Sequence, residues 1–547
     1  MKRTPERTPK PWPYLMLLVL AVSLPTAATA QTQLAGQTTG GAYYQIMIPD
    51  GWQPADGLVI WNHGFDLEPI GPNPDLGPLA ALQLQEGFAI AASSYSLTGW
   101  AVFESVADLE EMVKVFGQSV GVPDQVFVYG ASLGGIVTAQ AIEQAELGNV
   151  VGAMPICGAV GGSRIWDGAI DLRLIYDALC DGVPGAAIAG GAEGLPFPPD
   201  PAFDQNALGL AVNNCFGVLV DPSLRTQDQQ ARLDQLLALT GLPENFVLTD
   251  MGFTTFGLSD LTHDPRKLGF RQPFDNIGVD YGDPVINTTI HRVAGDPLAR
   301  TFFHNHYTPT GNVGNVKIVS LHTDKDGLVI VENESEYAQV VPPDNLTTAI
   351  VIEDEATHCG FTEAETVAAW ESLRGWVAGL PQPDQQALQA TCQGIEAGGL
   401  AQGPCRIYPG PYPIPDLDVR VRPREIDQAG PFVCVPDATT HCLNGGRFQV
   451  EVSWADFNDR RGNGQTSSST DDSGSFWFFN PDNIELVVKA LDGRQNNDHF
   501  WVFYGSLTNV EFELTVTDTE TGAQKVYDNP LGNFASVGDT RAFETVP

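Results

Sequence analysis

The chain has 547 residues, 43% of them hydrophobic, which allows two or three domains with a large buried core and argues against general disorder. Its formal net charge is −39, and so acidic a surface repels phosphate backbones and anionic lipid, which disfavours nucleic acid and membrane surfaces as partners. Past the N-terminus no stretch is long and apolar enough to cross a bilayer.

Residues 1–30 read as a secretory signal. Lys2, Arg3, Arg7 and Lys10 precede the apolar run "YLMLLVLAVSL", and Ala28-Thr29-Ala30 supplies the small residues of a cleavage site. Cleavage before Gln31 removes four basic residues and Glu6 and leaves a charge of −42. The expected localisation is therefore secreted or periplasmic. All eight cysteines lie beyond the signal: Cys157, Cys180, Cys215, Cys359, Cys392, Cys405, Cys434 and Cys442. An even count in an exported chain points to disulfides. Sequence alone leaves their connectivity open, although short loops favour Cys392–Cys405 and Cys434–Cys442. A Cys180–Cys215 pair would staple one insertion and leave Cys157 for Cys359. A zinc site is the rival reading, but no CxxC pair or Cys/His spacing supports it, so no metal or cofactor is expected.

Between residues 57 and 157 short apolar runs alternate with helical stretches. "LVIWN" (58–62), "FAIAAS" (88–93), "QVFVYG" (125–130) and "GAMPIC" (152–157) read as buried strands. Val106, Leu109, Val113, Phe116 and Val120 recur at helical spacing over 104–121. This alternation predicts an α/β fold with a mainly parallel sheet covered on both faces. The rhythm then fails over 158–315, too long for an ordinary loop. That stretch reads as an inserted cap, helical around 227–239 and rich in aromatics such as Trp166, Phe197, Phe253 and Phe270, most of which are expected to fill the cap's own core. Strands return at "VKIVSLH" (316–322) and "TAIVIE" (348–353). Thr362 and Glu365 then form a capping box for a closing helix.

The catalytic domain is expected over 31–400, and "YPGPYPIPDLD" falls in a stiff linker over 401–417. Over 418–547, "RFQVEVSW", "SFWFF", "IELVVKAL", "HFWVFYG" and "VEFELTVTD" are the alternating runs of a small antiparallel sandwich. Trp477, Phe478, Trp501 and Tyr504 either fill its core, the favoured reading, or contact a surface or polymer.

Chemistry concentrates at Gly130-Ala131-Ser132-Leu133-Gly134, a G-x-S-x-G element between a predicted strand and a predicted helix. A serine hydroxyl is a weak nucleophile and needs a base and oxyanion donors. His63-Gly64-Phe65 follows the first strong strand, so the N–H groups of Phe65 and Leu133 are the candidate donors. Asp326 follows a late strand and is the candidate orienting acid, with Asp324 the competitor. His358 follows the last strand and is the candidate base; His291, His304, His306 and His322 are read as cap or strand-end residues. The chain order Ser132, Asp326, His358 is the hydrolase order.

As an ordered set these residues resemble the α/β-hydrolase superfamily over about 57–157 and 316–380. The resemblance implies a Ser132 nucleophile, a His358 base, an Asp326 orienter and oxyanion donors from Phe65 and Leu133. The large cap, and the cysteine beside the histidine, look like secreted esterases of the feruloyl-esterase and tannase kind. Those carry a cysteine directly before the serine, where this chain has Ala131; a Cys157–Cys359 bridge would tie the sheet edge to the histidine loop by another route. The tail over about 431–543 resembles a β-domain appended to many secreted bacterial proteins and implies no catalytic role. The expected function is a secreted serine hydrolase of a bulky aromatic or apolar ester or a polyester. A secreted peptidase, or an inactive hydrolase fold that binds surfaces, is the alternative.

Overall fold

The computed structural model describes residues 31–188, 203–269, 271–428, 434, 436–497 and 499–544. The proposed signal segment, Phe197 and Phe270 lie outside the described residues.

An eight-stranded sheet organises the first part of the chain. Its strands are β1 (Gln31–Gln37), β2 (Tyr43–Pro49), β3 (Leu58–Asn62), β4 (Ala89–Ser93), β5 (Val126–Ala131), β6 (Val150–Ile156), β7 (Lys317–Thr323) and β8 (Leu346–Val351), in the order β1-β2-β4-β3-β5-β6-β7-β8. The β1–β2 and β2–β4 pairs are antiparallel and the rest are parallel, the mainly parallel sheet of an α/β fold. Successive side chains point to opposite faces, so each buried strand feeds two cores. Leu58, Ile60, Val126 and Val128 pack with Leu109, Met112 and Phe116 of the helix Ser105–Ser119. Val59, Trp61, Phe127 and Tyr129 pack with Trp370 and Leu373 of the helix Glu363–Val377. That helix opens with the capping box of Thr362 and Glu365. The β1–β2 edge hairpin has no counterpart in the sequence reading, because β1 is polar and mostly exposed.

The stretch between β6 and β7 is more helical than its composition suggests. Besides Gln227–Thr240 it holds Ile165–Cys180, Gln205–Phe216, Val247–Gly252, Leu258–His263, Pro284–Thr289 and Pro297–Asn305. Its rings divide between two uses. Tyr176, Phe216, Phe246, Phe274 and Tyr281 are buried in its core, whereas Trp166 and Phe253 border a cavity.

The segment expected as a linker folds back on the sheet. Tyr408 N–H donates to the Ile350 carbonyl, and Ile352 N–H donates to the Arg406 carbonyl. The residues that follow, expected to open the sandwich, instead cross the cap. Buried Arg424 pairs with Asp171 at 3.0 Å, and Arg300 grips both Asp167 and Asp427. Arg164 pairs with Asp418 and Glu336. Removal of one partner from a buried pair such as Arg424–Asp171 costs about 3–5 kcal/mol, because the other charge is left uncompensated.

Beyond it, two five-stranded antiparallel sheets share one core, which includes Val450, Phe476, Val488, Val502 and Leu514. Phe478 and Tyr504 are buried in that core, while Trp477 and Trp501 are half-buried. Trp501 also donates its indole N–H to Asn497.

Candidate active site

Ser132 sits where β5 turns into the helix Leu133–Gln144, with φ 58° and ψ −122°. An L-residue in this region is strained and is held only when its surroundings over-determine it. Here they do. Ser132 N–H donates to the Ile156 carbonyl at 3.0 Å, and Gly135 N–H donates to the Ser132 carbonyl at 2.9 Å. Small neighbours are needed because backbones pass so closely. A Cβ on Gly134 would stand 2.0 Å from the Asn62 carbonyl oxygen, and one on Gly135 would stand 2.4 Å from Gly158 Cα.

The loops after β7 and β8 bring two more side chains to this turn. His358 Nε2 lies 2.9 Å from Ser132 Oγ, and His358 Nδ1 lies 2.8 Å from Asp326 Oδ2. A carboxylate accepts from Nδ1–H, which leaves Nε2 to accept the serine hydroxyl. Asp326 is fully buried and also accepts N–H groups from Leu328, Val329 and Cys359. Asp324, the competitor, accepts instead from Glu353 N–H and does not reach the imidazole through any hydrogen bond among the described residues.

Phe65 and Leu133 border the same cavity as Ser132. Leu133 is the first residue of its helix, where an N–H has no intrahelical carbonyl to pair with. Gly64 brings the loop after β3 against the serine; a Cβ there would stand 3.5 Å from Ser132 Cβ. His63 stacks on Tyr95, whose hydroxyl donates to the His63 carbonyl, and burial lowers its imidazole pKa.

His322 and His306 are engaged away from the serine. His322 is buried between the Glu334 carboxylate and the Val329 carbonyl. Burial opposes its charge, but Glu334 and Asp326 outweigh that and raise its pKa. His306 stacks on Phe103 and meets Phe302 at a tilt.

Cysteines join as Cys157–Cys359, Cys180–Cys215, Cys392–Cys405 and Cys434–Cys442. The first anchors the histidine loop. It starts from the end of β6, an interior strand beside β5, as the expected Cys157–Cys359 bridge requires. Potential metal-ligand atoms of Cys157, Cys359, His358 and Asp326 lie within 4.8 Å of one another. With both thiols in a disulfide, that grouping offers no thiolate.

Three parts of the site escaped the sequence reading. Glu353 accepts from Thr357 on the histidine loop, and Arg406, from the expected linker, donates to the Gly360 carbonyl. Arg420, Val421 and Arg422 join the cavity wall. Asp250 of the cap does so too. Arginines at alternate positions, 420, 422 and 424, in a chain with only 28 basic residues were the available signal for the second.

The cavity encloses about 150 Å³. Phe65, Trp100, Trp166, Leu172, Phe253 and Leu328 supply its apolar wall. Asp171, Thr240, Asp250, Arg420 and Arg422 supply its polar part.

No family model matches the chain, and no curated protein matches it. Solved structures that resemble it include an esterase from Aspergillus oryzae, at 12% identity over 64% of this chain and 80% of that one, with a TM-score of 0.37. The rice cell wall degrading esterase LipA from Xanthomonas oryzae follows at 14% over 63% and 87%, TM-score 0.30. An esterase from Rhodococcus sp. is similar at 14% over 64% and 99%, TM-score 0.28. At these identities and TM-scores such likeness says nothing about activity.

Proposed function

We propose that the chain is a secreted serine hydrolase that cleaves carboxylic esters. The observation that carries this reading is the unbroken chain of hydrogen bonds from Ser132 Oγ through His358 to Asp326, beside a cavity. In this reading Ser132 attacks the ester carbonyl while His358 Nε2 takes its proton. Asp326 keeps the imidazole in the required tautomer and stabilises its charged form. The N–H groups of Leu133 and Phe65 receive the oxyanion. His358 then protonates the departing alcohol, and water, activated the same way, releases the acyl group from Ser132. An apolar, aromatic wall suits an ester with a bulky acyl or alcohol part. Export is supported by the charged and apolar pattern of residues 1–30 and by the four disulfides.

Short p-nitrophenyl esters, polyester films and peptide amides, offered in parallel to the purified chain, test the reading. Ester cleavage that Ser132→Ala lowers by several orders of magnitude is expected. Amide cleavage without ester cleavage would make the chain a peptidase, and neither would make it a binding protein.

A further inference from the structure

The cavity beside Ser132 carries polar groups that the proposed reaction leaves unused. Asp250, on the cap helix Val247–Gly252, is one of its wall residues, and its Oδ2 is buried with no hydrogen-bond partner. Trp100 and Trp166 are also wall residues, and both of their indole N–H groups are buried and unpaired. Asp171 Oδ2 likewise lacks a hydrogen bond, but Arg422 stands 3.8 Å away and accounts for it. Buried polar groups nearly always find partners, and three orphans on the wall of one cavity call for an explanation. The enclosed volume is far larger than one water needs.

The orphans share a chemical character. An indole N–H only donates. Burial first, then the charge of Asp326, hold the Asp250 carboxyl protonated well above the usual carboxylate range, against the opposing pull of Arg420. Asp250 therefore offers an O–H donor as well. A mainly apolar wall with three spare donors, beside Arg422 already paired with Asp171, is matched by a ligand that is mainly apolar and presents uncharged acceptors.

We propose that Asp250 is a specificity-determining residue, donating a hydrogen bond to a neutral oxygen that the ester carries beyond its scissile group, in either the acyl or the alcohol part. This rests on the ester-hydrolase reading of Ser132. The preferred substrate class is then an ester with a second carbonyl, ether or hydroxyl oxygen, as in a hydroxyacyl ester or a polyester segment. A plain alkyl ester leaves the donors unpaired, and an ammonium group finds no charge on a neutral Asp250.

The test compares matched esters of equal length, one with an oxygen function where the other has methylene. In one set the oxygen lies in the acyl chain, in the other it lies in the alcohol. An ammonium-ended ester is the third probe. The full-length chain is expected to favour the oxygen-bearing member of at least one pair by about tenfold or more in kcat/KM, because a site built to hydrogen-bond rejects analogues that lack the group. Asp250→Asn, which still donates, keeps most of that preference. Asp250→Leu brings the ratio close to one, and Asp250→Ala does the same should the bulkier variant fail to fold. Equal cleavage of both members by the wild type overturns the proposal. So does a preference that survives in Asp250→Leu or Asp250→Ala, or a preference for the ammonium ester that depends on Asp250. If the wild type cleaves no ester at all, it is the ester-hydrolase reading that has failed.

Discussion

At the scale of single residues, position 132 concentrates the demands on the chain. A serine at φ 58° between a strand and a helix projects its hydroxyl away from both, and the turn tolerates no Cβ at Gly134 because the Asn62 carbonyl is 2.0 Å from where it would stand. Asp250 makes an opposite kind of demand: a carboxyl oxygen buried without a hydrogen-bond partner. Because its folded pKa is raised, the folded chain keeps a proton that the unfolded chain loses at ordinary carboxylate pH. Stability is thus greatest at low pH as far as this group is concerned, and it declines as pH climbs from the usual carboxylate range towards the raised value. Asp250→Asn removes the titration. Its melting temperature relative to wild type is expected to rise with pH through that window and then level off, measured by thermal unfolding at a series of pH values. A constant difference across the series would show that Asp250 titrates normally.

At the scale of elements, two chain segments distant in sequence, at Cys157 and Arg406, and a local contact with Glu353 brace one loop. The loop after β8 carries His358 and is tied to β6 by Cys157–Cys359, to Glu353 by Thr357, and to residue 406 by the Gly360 carbonyl. The disulfide spans 202 residues, and Cys359 N–H also donates to Asp326. Its removal therefore acts on stability and on the position of the imidazole together. Replacement of both cysteines by serine is expected to lower stability by about 2–5 kcal/mol. Steady-state kinetics should show kcat reduced more than KM, since the loop, and not the cavity wall, is loosened. An unchanged kcat would mean that Glu353 and Arg406 suffice to hold His358.

Most of the strands and the convergence of the candidate residues Ser132, Asp326 and His358 were legible in the sequence, because buried parallel strands are nearly continuous apolar runs and the serine turn needs small residues at fixed offsets. Asp326 stood out from Asp324 by its position ahead of Gly327-Leu328-Val329, and its carboxylate accepts from the N–H groups of Leu328 and Val329. What stayed hidden depends on long-range contact. The β1 strand is polar because it lies at an exposed edge, so it lacks an apolar pattern. The segment after the prolines reads as the opening of the sandwich because it meets the cap through ion pairs such as Arg424–Asp171, which leave no periodic pattern in the sequence.

On the scale of the whole molecule, the crossing segment means that the chain leading to the C-terminal sheets also walls the cavity, through Arg420, Val421 and Arg422. The C-terminal sheets in turn touch the cap, where Arg271 donates to Gln524 and Asn305 to the Thr521 carbonyl. All of this surrounds a single hydroxyl, and its reactivity is the most direct thing to measure. The folded full-length chain is treated with a fluorophosphonate probe and the adduct is located by mass spectrometry of its peptides. Stoichiometric labelling at Ser132, lost in His358→Ala, is the predicted result. An unlabelled Ser132 in folded protein, or labelling that proceeds equally well without His358, would contradict the account.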